Sequence, residues 1–143
     1  MYRTRKGKNM AIKKLNVVDQ TIYDQSGMPG AYLSSKVIYA FNGHPIGYVD
    51  TELVWTFRGM PAGWMNDGWL RSLHGSCIGF TRFAQSAPAH RAPITRDPPK
   101  TQKRRLPAVG ARKAAPHKPA FKSTWSYTPL STFLEWVRYQ AGE

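Results

Sequence analysis

Apolar and polar positions along residues 17–83 repeat with a period longer than any helical turn or strand pleat. Glycine stands at 27, 43, 59 and 75, sixteen residues apart each time. Five residues ahead of these come Ile22, Ile38, Val54 and Leu70, followed by Tyr23, Tyr39, Trp55 and, out of pattern, Arg71. Two residues after each glycine come Pro29, Pro45, Pro61 and Cys77; four after come Ala31, Gly47, Gly63 and Gly79; five after come Tyr32, Tyr48, Trp64 and Phe80. A fixed period of this size is the mark of an array of one supersecondary unit.

One unit reads as a β-hairpin. Ser26-Gly27, Asn42-Gly43, Arg58-Gly59 and His74-Gly75 place a glycine where a two-residue primed turn needs positive φ. With those pairs as the turns, Tyr39 faces Ile46 and Ile38 faces Gly47. Strand alternation then sorts Tyr39, Phe41, Ile46 and Tyr48 to one face and Ile38, Ala40, Pro45, Gly47 and Val49 to the other. Both faces are apolar, so a lone hairpin of this kind is unstable and its neighbours must cover it on both sides. Connectors of about four residues, such as "DTEL" and "NDGW", allow this. The fold class expected is mostly β: four hairpins in a pseudo-four-fold, flower-like arrangement or a closed eight-stranded meander. Ala31, Gly47, Gly63 and Gly79 mark points of close backbone approach.

The repeated unit, followed by a Pro/Ala/Arg-rich tether and the C-terminal segment "STWSYTPLSTFLEW", resembles the bacterial four-fold beta-flower proteins. The resemblance implies four petal-like hairpins and carries no assigned activity. The last unit departs from the pattern, with Arg71 and Cys77 in place of an aromatic and a proline. That petal is either an edge or is completed by the C-terminal segment.

Charge changes the picture outside the repeats. Residues 1–18 hold six basic residues and no acid, and 84–123 hold ten basic and one acid. Residues 19–83 hold four basic and five acidic. Four segments follow: a basic arm (1–16), the hairpin domain (17–83), a Pro/Ala/Lys/Arg-rich linker (84–123) and a C-terminal helical segment (124–143). The linker has seven prolines and few large apolar residues, which predicts a disordered, extended and mobile tether. In the last segment Pro129 starts a helix, Thr132 with Glu135 forms a capping box, Leu130, Phe133, Leu134 and Val137 share a face, and Gly142 ends it. So short a helix must dock, either on the repeat core or on a partner.

Catalysis finds little support. Asp50, Glu52 and Asp67 fall in connectors, where acids are ordinarily solvated turn residues. His44 and His74 flank turn glycines with no base or nucleophile at a fixed offset, and Cys77, the single cysteine, reads as an inert thiol and excludes an intramolecular disulfide. No enzyme, cofactor or metal is expected. The columns Tyr32, Tyr48, Trp64 and Phe80 read as packed core before they read as a stacking surface.

The arms carry the functional expectation. Arg3, Arg5, Lys6 and Lys8 at one end and Lys103, Arg104, Arg105, Arg112 and Lys113 at the other are the candidate nucleic-acid contacts, since cations spread along a flexible chain bind phosphates through counterion release. The partner expected is a nucleic acid or ribonucleoprotein, or an acidic protein surface. The alternatives are an accessory subunit anchored in a large complex by its tether and helix, and a carbohydrate or envelope binder. No apolar run approaches the roughly 20 residues that span a bilayer, so the expected address is cytoplasmic.

Overall fold

The structure is a computed structural model that describes residues 19–84 and 91–140; the arm with Arg3, Arg5, Lys6 and Lys8, and the helix stop at Gly142, lie outside the described residues. The repeats form eight strands: β1 (Gln20–Tyr23), β2 (Pro29–Ser34), β3 (Val37–Tyr39), β4 (Pro45–Asp50), β5 (Leu53–Trp55), β6 (Pro61–Asn66), β7 (Trp69–Ser72) and β8 (Cys77–Phe80). Each pairs antiparallel with the next, and β8 returns to β1 through the pair Tyr23↔Phe80, closing a barrel. The four repeated hairpins thus form a closed eight-stranded meander, as expected.

The loops differ from the two-residue turns expected. The Gly43 N–H donates to the Ala40 carbonyl and the Ala40 N–H to the His44 carbonyl, leaving residues 41–43 as a three-residue loop closed by a glycine at φ +90°. The other three hairpins repeat this bonding. The primed two-residue turns occur in the connectors instead: Ser35 and Lys36 both have positive φ, as do Asp67 and Gly68. Inside each hairpin the register then shifts. Ile38 faces Gly47 as expected, but Tyr39 faces Pro45, so Ile46 is an extra, bulged residue. Ile46 therefore turns inward beside Ile38 and Val49 and does not share the face of Tyr39.

The faces separate cleanly once this bulge is placed. Ile22, Ile38, Val54, Leu70, Ile46, Ala62 and Ile78 form an inner aliphatic cluster. Tyr23, Tyr32, Tyr39, Trp55, Trp64, Trp69 and Phe80 belong to the outer aromatic wall and are buried as well. What buries each side is the rest of the chain.

The inner cluster is closed by α1 (Leu130–Tyr139). Leu130, Phe133, Leu134 and Val137 line its buried face, the face read from the sequence, and they pack on the chain's own barrel. Small residues make the room: a Cβ at Gly47 would lie 2.9 Å from Val137 Cγ1, and one at Gly63 3.2 Å from Phe133 Cζ. The expected capping box is absent. Pro129 is itself the N-cap and no side chain caps the helix, because the helix begins at Leu130 and places Thr132 within its first turn.

The outer wall is closed by the tether, which corrects the expectation of a mobile linker. Residues 91–123 are extended but seated, one segment per hairpin. The N–H groups of Thr95, Arg104, Lys113 and Lys122 donate to the carbonyls of Gly27, Gly43, Gly59 and Gly75 at 2.8–3.0 Å. Thr101 and Gly110 donate likewise to Phe41 and Phe57. A nine-residue period on the tether thus matches the sixteen-residue period of the barrel. The third equivalent, Pro119, has no N–H to give, and the carbonyl of Leu73 accepts from the Trp64 indole at 3.3 Å instead. At its end the tether pairs with β8 through the bridge Cys77↔Trp125, so the divergent fourth petal is completed by the C-terminal segment.

Candidate cationic surface

Nine of the tether's ten cations divide into two sets; the tenth, Arg91, donates through Nη1 to the Ala84 carbonyl at 3.3 Å. The first set faces the barrel. Lys100 Nζ pairs with Asp19 at 3.1 Å and lies 4.6 Å from the centroid of the Tyr32 ring. Lys103 Nζ donates to Ser34 Oγ at 2.7 Å and lies over Tyr39. Arg112 pairs with Asp50 at 2.7 Å, donates through Nε to the Tyr48 hydroxyl and sits 4.9 Å from the Trp55 ring. Lys118 pairs with Glu52 at 3.0 Å and lies over Phe121. Exposed cation–π contacts and ion pairs are each worth about 1 kcal/mol or less, so these fasten the tether without dominating the fold.

The electrostatics agree with that placement. Burial pushes the Asp19 carboxyl up, but the Ser34 hydrogen bond and the Lys100 and Lys103 charges outweigh it and hold the group below its ordinary value. The Asp50 carboxyl is lowered by the hydrogen bond and charge of Arg112. Burial raises the Tyr23, Tyr32 and Tyr39 phenols.

One column inverts. Where the second and third hairpins set an aromatic on the barrel under a tether cation, Tyr39 under Lys103 and Trp55 under Arg112, the fourth sets Arg71 on the barrel against Phe121 of the tether, 4.5 Å away. Arg71 is buried and donates through Nη1 to the carbonyls of Gly75 and Lys122. This accounts for the residue that broke the sequence pattern. Cys77 beside it is fully buried; burial raises its thiol, the Arg71 charge offsets this only in part, and the group is ill placed for nucleophilic chemistry.

The second set faces out. Arg96, Arg104, Arg105, Lys113 and Lys122 are exposed, and their side chains make no hydrogen bond or ion pair among the described residues. The backbone bonds of Arg104, Lys113 and Lys122 to successive loop glycines fix where these charges stand, nine residues apart around the rim. Of the candidates read from the sequence, Arg104, Arg105 and Lys113 belong to this outward belt, whereas Lys103 and Arg112 are turned inward onto aromatic rings. Arg96 and Lys122 were not among those candidates. Their signal is the nine-residue spacing, which also appears in Pro98, Pro107 and Pro116. Tyr32, Trp64 and Phe80 are buried and Tyr48 is half-buried under Arg112, so the aromatic columns are covered by the tether.

Among the described residues no helix is long and apolar enough to cross a membrane. No curated protein and no solved structure matches this chain. A family model described as 4-fold beta flower protein matches residues 20–134, spanning the barrel, the tether and the first half of α1, and the chain belongs to that family.

Proposed function

We propose that this chain is a non-catalytic module that binds nucleic acid, free or in a ribonucleoprotein, through the sugar–phosphate backbone. The observation that carries the reading is the sorting of tether charge. The barrel's own acids, Asp19, Asp50 and Glu52, neutralise three inward cations, and the five outward ones are left on a seated strand with no carboxylate partner among the described residues. Cations held on a fixed backbone lose less freedom on meeting phosphates than cations on a free chain. They carry no means of reading bases, so the binding expected is sequence-tolerant and strongly salt-dependent. The accessory-subunit reading is weaker, because the apolar face of α1 that would anchor it is spent on the chain's own barrel. The carbohydrate reading is weaker too, because the aromatic wall is covered. Anisotropy titration of the full chain with a labelled RNA at about 50 and about 200 mM salt tests the proposal. Affinity falling steeply with salt supports it, and the absence of measurable binding at the lower salt refutes it.

A further inference from the structure

At the end of the barrel where the three-residue loops gather, the C-terminal half of α1 meets the second and third loops around a cleft of about 700 Å³. Among the described residues its lining includes His44, Arg58, Glu135, Arg138, Tyr139 and Gln140. Arg58 and Arg138 are exposed and form no ion pair among the described residues, and Glu135 is the one carboxylate that the described residues bring to the lining. Tyr139 is 76% exposed, so its ring is available for stacking. The volume lies within the range of sites that hold small ligands, roughly 300–1,000 Å³. Two guanidinium forks suit phosphate oxygens, and an open aromatic face suits a base.

The cleft is joined to the cationic belt. The loops that supply His44 and Arg58 are those to which Arg104 and Lys113 bond through their backbone N–H groups. The tether also crosses directly over Arg58: a Cβ on Gly110 would lie 2.9 Å from the Arg58 carbonyl oxygen. A strand held by phosphate contacts on the belt at these two loops passes beside the cleft.

We infer that the cleft takes one unpaired nucleotide of such a strand, its phosphate on Arg58 and Arg138 and its base against Tyr139. This rests on the nucleic-acid reading above and narrows it to single-stranded substrates. A nucleotide inside a duplex must be unstacked before it can enter, at a cost that a single strand largely avoids.

The test is anisotropy titration of the full chain with a labelled oligothymidylate and with a duplex of the same length. Four proteins are compared: wild type, Y139A, R58Q/R138Q, and the belt variant R96Q/R104Q/R105Q/K113Q/K122Q. All the substituted side chains are exposed, and circular dichroism checks that each variant folds. The wild type is expected to prefer the single strand. Y139A is expected to lower single-strand affinity about five- to 100-fold, in keeping with the loss of one stacked base, while duplex affinity stays within about two-fold. R58Q/R138Q is expected to lower single-strand affinity by more than it lowers duplex affinity. A Y139A protein that binds the single strand like wild type, or loses both ligands equally, overturns the cleft assignment. If in that case the belt variant still loses both ligands, the backbone reading stands and the cleft alone falls. A silent belt variant together with a Y139A loss confined to the single strand supports the cleft and refutes the belt.

Discussion

Replacing Gly43 by alanine meets two obstacles whose magnitudes can be separated. The first is backbone conformation: Gly43 has φ +90°, and an L-residue held in the left-handed region costs about 1–2 kcal/mol. The connectors show that the chain bears such strain elsewhere, since Ser35, Lys36, Thr51 and Asp67 have φ between +49° and +69° with a Cβ in place. The second obstacle is the tether. An added Cβ would overlap the carbonyl of Gln102, so the segment must lift from the loop. Lifting breaks the bonds from Thr101 to Phe41 (2.8 Å) and from Arg104 to Gly43 (2.9 Å), worth about 0.5–1.5 kcal/mol each. It also withdraws Lys103 from Tyr39, worth about 0.5–1 kcal/mol. The G43A protein should therefore lose roughly 2.5–6 kcal/mol, where strain at one residue alone would cost about 1–2. Denaturant unfolding of the full chain measures the total, and amide hydrogen exchange locates it. Thr101 and Arg104 should lose protection while Lys113 and Lys122 keep theirs. A loss near 1 kcal/mol with the exchange of Thr101 and Arg104 unchanged would show that the tether does not sit on this loop.

Three further expectations follow from the same packing. Residues 19–84 alone should not reach the native barrel: the four buried side chains of α1 contribute on the order of 6–12 kcal/mol, comparable to the whole stability of a domain, so a dispersed amide spectrum from this fragment would contradict the account. The inverted pair should be coupled, with R71Y/F121K less destabilised than the sum of its single variants by about 0.5 kcal/mol or more in denaturant unfolding; strict additivity would argue against the exchange of roles. Asp19 and Asp50 are lowered in the folded state, so their contribution is present above the unfolded carboxylate value of about 3.9 and is lost as pH falls through their lower folded values. An acid titration followed by Trp55 fluorescence should report release of Arg112, and D50N should flatten it.

The legible part of the fold was the part in which every hairpin repeats one local demand. A loop glycine, an aliphatic residue five positions ahead and an aromatic five behind recur because each petal packs on equivalent neighbours. The kind of loop was not legible: an Asn-Gly pair serves a two-residue primed turn and a three-residue loop equally, since both need positive φ, and only the pairing of Tyr39 with Pro45 separates them. The tether misled for another reason. Its composition argues correctly for an extended chain with little apolar surface, but a proline-rich chain also has less freedom to lose on docking, and the burial it needs is supplied by rings on the barrel. Its period was visible in Pro98, Pro107 and Pro116, and in Lys103, Arg112 and Phe121. The apolar face of α1 was legible from its spacing. Its destination was not, because Gly30, Gly47 and Gly63 mark room for a neighbour without saying which.

The central claim, that seated outward cations and not tether charge in general bind the phosphate backbone, is tested most directly by the salt dependence of RNA binding in two variants of the full chain. One removes the belt (R96Q/R104Q/R105Q/K113Q/K122Q); the other removes the inward set (K100Q/K103Q/R112Q/K118Q). Each phosphate that is no longer neutralised should lower the slope of log affinity against log salt by about 0.7–0.9. The account predicts that the belt variant keeps wild-type stability and loses most of the slope, while the inward variant loses stability and, at temperatures where it is folded, keeps the slope. Equal loss of slope per charge in both variants would contradict it, because the sorting of the tether's cations by the barrel would then have no bearing on what they bind.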